Sequence, residues 1–424
     1  MKNLSLEYEK YELKNGLEVI LYPDTSLPIA VVNLWYNVGS SRDPKNKTGL
    51  AHLFEHMMFQ GSKHVKKGEH FKFIQDSGGT LNASTSFDVT NYFEKIPSGF
   101  LETALWLESD RMGFFIEALT DETLANQIDV VKNERLERYD NQPYGLTWEK
   151  VFGLLYEAGH PYHAPTIGFM NDILSYNQKD VGEFFSTYYQ PRNASIVIAG
   201  DFEVEQARDL VEKYFGGITS LKNVSQLKTD DNDLLESKSE IVFDAVSLEK
   251  ILLVWKTEKI FNENNFALDI LSDILTGSKN GRIYNKLVLQ LELAMQVSAF
   301  QFSGKYGGFF CVTVTAKPGK SLDEIKKIIL SELDTLFQHD ITSEELTRSK
   351  NGIKAHFIYG MQSLDSVANQ LNHYNYYLGE PNSFSVELSL YEKVERESVK
   401  QCARYFAKPH IDLRFVPKEK RGNS

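Results

Sequence analysis

The sequence predicts an α+β fold built as two similar halves. Three observations carry that expectation. Strand-like and helix-like segments come in mixed clusters and not in strict alternation. A polar stretch from Lys222 to Leu235 interrupts the pattern near its middle, and the pattern then begins again. The chain of 424 residues also exceeds the size at which one core keeps growing, so more than one domain is expected.

Taken in order, Tyr8–Leu13 and Leu17–Tyr22 read as strands around Lys14-Asn15-Gly16, and an Asn-Gly pair between such runs signals a hairpin. A longer β run follows from Ile29 to Val38. Gly49–Phe59 has helical spacing of its apolar residues, and Gly68–Gly79 reads as a short amphipathic helix stopped by Ser77-Gly78-Gly79. Thr80–Ile96, rich in Thr, Ser and aromatics, gives two strands with a turn near Phe87-Asp88. Pro97-Ser98-Gly99 breaks the run. Helices are then expected over Phe100–Met112, Asp121–Tyr139, Leu146–Tyr156 and Gln178–Tyr189, a strand over Ala194–Gly200, and a helix over Glu203–Phe215 stopped by Gly216-Gly217.

Lys222–Leu235 is the expected linker. It divides the chain into an N-terminal domain, 1–221, and a C-terminal domain, 236–424. Beyond it come strands at Glu240–Asp244 and Lys250–Thr257, a helix at Asn264–Leu275, a Gly-rich break, a helix at Arg282–Leu291, and strands at Met295–Phe302 and Gly308–Ala316. Pro318-Gly319 and a helix at Leu322–Phe337 follow. This strand, Pro-Gly break and helix echo those at 88–112, which suggests duplication.

The chemistry concentrates in Gly49–Phe59. Four residues apart on one helix, His52 and His56 stand one above the other, so two imidazole nitrogens can converge on one ion. Glu55 lies one residue before the second. A plain alternative is a hydrogen-bonded cluster at the edge of a core. The order H-x-x-E-H inverts the commoner zinc-peptidase motif and is the inverzincin signature. A catalytic zinc needs a third protein ligand, and the stretch Ile128–Arg138, with Asp129, Glu134 and Glu137, offers candidates.

Composition narrows the field. A formal charge of -12 and a pI near 5.4 argue against nucleic acid as a partner. Cys311 and Cys402 are far apart and form no C-x-x-C pair, so neither a disulfide framework nor a thiolate metal site is expected. The apolar runs are too short to span a bilayer. The first residues lack an apolar signal core. The chain therefore reads as cytoplasmic as it stands, and as periplasmic or extracellular if a signal peptide was removed.

Gly49–Phe59, Gly78-Gly79-Thr80-Leu81-Asn82-Ala83-Ser84-Thr85 and Val130-Val131-Lys132-Asn133-Glu134-Arg135 together resemble the pitrilysin (insulinase-like) zinc peptidases, to which the mitochondrial processing peptidases also belong. The resemblance is strong from about residue 10 to 218 and weaker beyond. It implies two homologous domains, each a mainly antiparallel sheet with packed helices, that enclose a cavity. It implies that His52, His56 and Glu134 bind Zn²⁺ and that Glu55 is the general base that activates a zinc-bound water for peptide hydrolysis. Glu137 remains a rival third ligand. Family members often carry an acidic residue seven positions before the third ligand; here it is Gln127, which keeps a hydrogen-bonding group beside the metal site without the charge. Asn82, Ala83, Ser84 and Thr85 resemble the substrate edge strand, where an extended peptide adds by backbone pairing. The plain alternative is an edge protected by polar residues.

One departure matters. Where the family's C-terminal half places an arginine and, seven residues later, a tyrosine that hold substrate, alignment on Leu293-Ala294-Met295-Gln296-Val297 puts Val288 and Met295. Neither side chain can donate a hydrogen bond. The expectation is a zinc-bearing subunit of a heterodimer whose homologous partner supplies Arg and Tyr. The competing expectation is a non-catalytic scaffold or peptide-binding subunit of the same fold.

Overall fold

The computed structural model describes residues 6–220, 223–227, 229, 232–338 and 340–418. They form two compact units. The first comprises Met1–Arg135, Ala164–Lys228 and Ile358–Ser385, and the second Leu136–His163, Thr229–Phe357 and Val386–Ser424.

In the first unit the strands are β1 (Glu9–Glu12), β2 (Glu18–Pro23), β3 (Ile29–Tyr36), β4 (Thr80–Thr85), β5 (Thr90–Pro97) and β6 (Ala194–Gly200). They are hydrogen-bonded in the order β1-β2-β6-β3-β5-β4. Only β2 and β6 run parallel; every other neighbour is antiparallel. The central strand β6, Ala-Ser-Ile-Val-Ile-Ala-Gly, is buried at every residue because both faces of the sheet are covered. On one face Tyr92 and Tyr36 pack toward Phe54 of helix Leu50–Met57, and Phe54 stacks on Phe184 and Tyr189 at 5.3 and 4.7 Å. On the other, helix Leu364–Leu378 lies across β6 and β3. Its buried Asn372 donates to the Asn33 carbonyl and side-chain oxygens at 2.9 and 3.0 Å, and accepts from Ser195 Oγ at 2.7 Å.

The strands of the second unit are β7 (Lys238–Asp244), β8 (Lys250–Thr257), β9 (Ala294–Gly304), β10 (Gly307–Ala316) and β11 (Ile411–Pro417), ordered β7-β11-β8-β10-β9. Again one pair, β7 and β11, is parallel and the rest antiparallel. The order and senses repeat those of β2-β6-β3-β5-β4. The break that links β5 to helix Leu101–Phe114 recurs as Pro318-Gly319 between β10 and helix Leu322–Gln338. A core of Trp255, Leu268, Leu271, Ile283, Phe310 and Ile329 fills the space between sheet and helices.

The α+β class and the duplicated plan stand as expected, with three differences. The contiguous division at 222–235 is replaced by units that each take a segment from the other half of the sequence; residues 222, 228, 230 and 231 of that linker lie outside the described residues. Composition marks a polar connection but does not say which sheet an amphipathic helix such as Leu364–Leu378 covers. The α-helix from Asp121 ends at Arg135 and continues as a π-helical turn, Leu136–Asp140, and the helix expected over 282–291 is one α turn followed by the π-helical turn Asn285–Gln290. Apolar spacing over so few residues does not separate the two bonding patterns. No described helix is long and apolar enough to cross a membrane.

Asn372→Ala removes the hub that joins helix Leu364–Leu378 to β3 and β6. We expect the first unit to lose about 1–3 kcal/mol, the cost of stranding buried hydrogen-bonding groups, in urea unfolding followed by the Trp35 environment.

Candidate metal centre

Helix Leu50–Met57 starts at Gly49, whose φ of 87° lies in the left-handed region. A Cβ there would stand 2.3 Å from the Ile167 carbonyl oxygen, so glycine is required for the close approach of the two backbones. The first turn is capped from a distance: the Asp43 carboxyl accepts from the Gly49 N–H at 2.6 Å and the Ala51 N–H at 2.9 Å. These are N-terminal helix donors that otherwise lack partners. Burial pushes the Asp43 carboxyl up, and those N–H donors oppose the shift.

Helix Asp121–Arg135 is tied to the same loop. Arg135 donates to the Gly168 carbonyl at 2.5 Å, and Gly168 packs so closely that a Cβ would lie 2.1 Å from Thr48 O. The residue before Arg135 is Glu134. Its Oε2 lies 3.2 Å from His56 Nε2 and 3.8 Å from His52 Nε2, and the imidazole centroids are 4.9 Å apart. One donor atom from each of the three falls within 4.8 Å of the others. Donors about 2.0–2.1 Å from a tetrahedral ion stand about 3.3 Å from one another, so two imidazoles and a carboxylate at these separations fit zinc in donor type and in spacing. All three are half-buried, which leaves a side open. Glu137 is exposed beyond the helix end and is not among these donors, whereas Gln127 is buried on the same helix.

Burial raises the Glu55 carboxyl above the ordinary carboxylate range. The hydroxyl and N–H of neighbouring Thr85 and the His56 ring oppose the shift, while Glu134 adds to it. Thr85 ends β4, which is an outer strand of its sheet. The turn closes with Ser86 N–H bonded to Val89 O, and in an antiparallel ladder bonded pairs alternate, so Ser84, Asn82 and Thr80 pair with β5. The backbone groups of Leu81, Ala83 and Thr85 therefore face the open edge. Asn82 Oδ1 accepts the Ala83 N–H at 2.9 Å, whereas Ser84 Oγ turns away to Asn91.

Sequence reasoning missed what holds this helix from below. Tyr92 donates to the Phe54 carbonyl at 3.1 Å, and the Arg111 guanidinium lies 4.1 Å from the Tyr92 ring centre and 5.1 Å from that of Phe59. Arg111 forks onto Glu108 and reaches Glu94 at 3.5 Å; Glu94 in turn meets His70 at 3.3 Å. All four are buried. Burial drives the Glu94 carboxyl up, with Glu108 adding to the shift and Arg111 opposing it, and burial drives the His70 imidazole down. His70, Glu94 and Glu108 have the donor types of a second metal site, but the cation already in place is Arg111. The signal was present as Glu108 and Arg111 three residues apart on one helix, close enough to pair. Asp43 was missed because it caps from six residues away, beyond the adjacent position where caps are sought.

His52, Glu55 and His56 on one helix, Glu134 from a second and the outer strand β4 beside them make up the candidate site. Residues 18–159 match the family model described as insulinase (peptidase family M16), and residues 175–353 match the one described as the M16 inactive domain. The chain belongs to this family. It is 34% identical over 369 residues to the zinc protease PqqE of Helicobacter pylori, covering 85% of this chain and 82% of that protein. A crystal structure of a protease from H. pylori superposes with a TM-score of 0.91 at 29% identity, over 97% of this chain and 100% of that one. The periplasmic protease PqqL of Escherichia coli shares the fold, with a TM-score of 0.80 at 18% identity; this chain covers 48% of it.

Arg111→Met leaves Glu108 buried without its cation. We expect a loss of about 3–5 kcal/mol in unfolding free energy, and recovery of much of it when Glu108→Leu is added, because the pair together is replaceable by apolar groups.

Proposed function

We propose that this chain is the zinc-dependent endopeptidase subunit of a two-chain enzyme that hydrolyses peptides or unfolded segments. The observation that carries the reading is the convergence of His52, His56 and Glu134 from two helices beside Glu55. These three residues would hold the zinc ion; when bound, it supplies a Lewis acid that makes water acidic near neutral pH and polarises a carbonyl. Glu55 takes the proton from the attacking water and delivers it to the leaving amine. Its raised carboxyl suits both halves of that task, since an acid with too low a pKa is a poor proton acceptor.

The outward backbone groups of Leu81 and Ala83 offer an extended peptide a strand to pair with, one residue pair from Thr85 and Glu55. Asn82 Oδ1 occupies the Ala83 N–H and would yield it to a substrate carbonyl. Substrate recognition then uses backbone geometry, which favours unfolded segments of varied sequence.

The partner requirement rests on the second unit. Val288 is packed against that unit's core, and Met295 is 57% exposed; neither offers the donor that the family resemblance expects at its position. That the E. coli protease is about twice this length, with this chain covering 48% of it, agrees with an enzyme assembled from two such halves. A homologous chain carrying Arg and Tyr would complete the site.

Purified protein should hold one zinc per chain by atomic emission, and Glu134→Gln or His52→Ala should abolish stoichiometric binding. Glu55→Gln should retain the metal and lose about 10²–10⁴-fold in peptide hydrolysis when the partner is present. A chain without zinc points to the scaffold reading. Full turnover by the lone chain overturns the partner requirement.

A further inference from the structure

The second sheet lacks a counterpart of β1. In the first unit β2 is covered by β1 along Glu9–Glu12, whereas β7, which holds the place of β2, has β11 on one side and no strand on the other among the described residues. The open side can be read atom by atom. Lys238 N–H donates to His410 O and Lys418 N–H to Asp244 O, which fixes the even-numbered residues of β7 as those that pair with β11. The N–H and C=O groups of Ser239, Ile241 and Phe243 therefore point to the free edge.

Their side chains are also on the uncovered face. The even-numbered face is occupied by helix Thr147–Leu155, through Lys150 on Glu240 at 2.7 Å and Lys238 Nζ on Leu154 O at 2.7 Å. Ile241 is 52% exposed and Phe243 63%. Edge strands are normally blunted by charge, proline or a bulge. No proline or bulge interrupts Ser239–Phe243; its one charge, Glu240, is paired with Lys150 on the covered face, and no residue on the exposed face is charged.

We infer that β7 is a self-pairing interface, joining a second copy of this chain as an antiparallel strand about a two-fold axis at Ile241. Pairing requires the outward odd-numbered residues of the two copies to oppose one another, and of the centres that allow it Ile241, the middle of the strand, is the one that uses all seven residues. It sets Ile241 against Ile241, Ser239 against Phe243, Glu240 against Val242 and Lys238 against Asp244 of the second copy. No like charges are opposed, and the end residues are of opposite sign. Such an isologous contact closes after two copies. It does not depend on zinc or on the peptidase reading, and it leaves the β4 edge of each copy unused.

The test uses the full chain. Light scattering and sedimentation equilibrium should give a dimer at micromolar concentration, and Ile241→Lys should weaken it about 100-fold by exposing charge to charge and removing two apolar side chains from the contact. Phe243→Lys gives the same result should the first variant fold poorly by circular dichroism. Ile241→Cys should oxidise to a covalent dimer, because opposed bonded residues have Cα atoms about 5.5 Å apart, within disulfide reach. Ser239→Cys should not, and the native Cys311 and Cys402 are buried and do not compete. A monomer at every concentration, or a dimer indifferent to both lysine variants, overturns the inference.

Discussion

The candidate metal centre depends on one close approach of backbones. Gly49 and Gly168 pass so near each other's strands of chain that no side chain fits at either position, and Asp43, Thr48 and Arg135 fasten the contact by hydrogen bonds. Helix Leu50–Met57 starts at one of these glycines. Helix Asp121–Arg135 ends, one residue after Glu134, on the carbonyl of the other. The separation of the histidines from Glu134 is therefore set by packed backbone and not by long side chains. That is the form of preorganisation a metal site needs, because ligands held in place before binding lose little entropy on binding.

The two units show how one plan carries two tasks. Both sheets have one parallel pair in the same place, the same antiparallel remainder and a proline-glycine type break before the helix that covers them. What differs is polar. In the first unit, Arg111 and Glu108 fill the space under the metal helix, whereas the second unit has Leu271, Ile283, Phe310 and Ile329 in an apolar core. The Arg111 guanidinium packs on Phe59 and Tyr92, and Tyr92 bonds the Phe54 carbonyl next to Glu55, so the ion pair is linked by contacts to the helix of the candidate site.

Much of this was legible in the residues, and the limits have physical causes. Strands from Ile29, Ala194 and Lys250 and the helix at His52 follow from period and punctuation, because burial against a sheet demands that spacing. The resemblance implied Glu134 as third ligand with Glu137 as a rival, a choice that spacing alone does not make; in the fold Glu134 lies beside both histidines, whereas Glu137 is exposed on the π-helical turn after Arg135. The exchange of helical segments between units was not legible, since an amphipathic face states that it will be covered and not by what. Nor was the Arg111 cluster, whose members lie on β5 and two helices and are joined only by the fold.

Edge chemistry offers the sharpest contrast between the sheets. At β4 the outward N–H of Ala83 is held by Asn82, and the strand's exposed side chains include Asn82 and Ser84. A polar, self-satisfied edge resists permanent pairing yet can exchange one acceptor for another, which suits the transient peptide pairing of the proposed function. At β7 the charged residues lie on the covered face, and the exposed face presents Ile241 and Phe243 beside the open backbone groups. Transient backbone pairing gains little beyond the hydrogen bonds it trades with water, whereas pairing that also buries Ile241 and Phe243 adds the hydrophobic term that makes an association persist. On the proposed function and the inferred dimer, the same backbone geometry serves passage at one strand and attachment at the other, and the side chains beside it decide which.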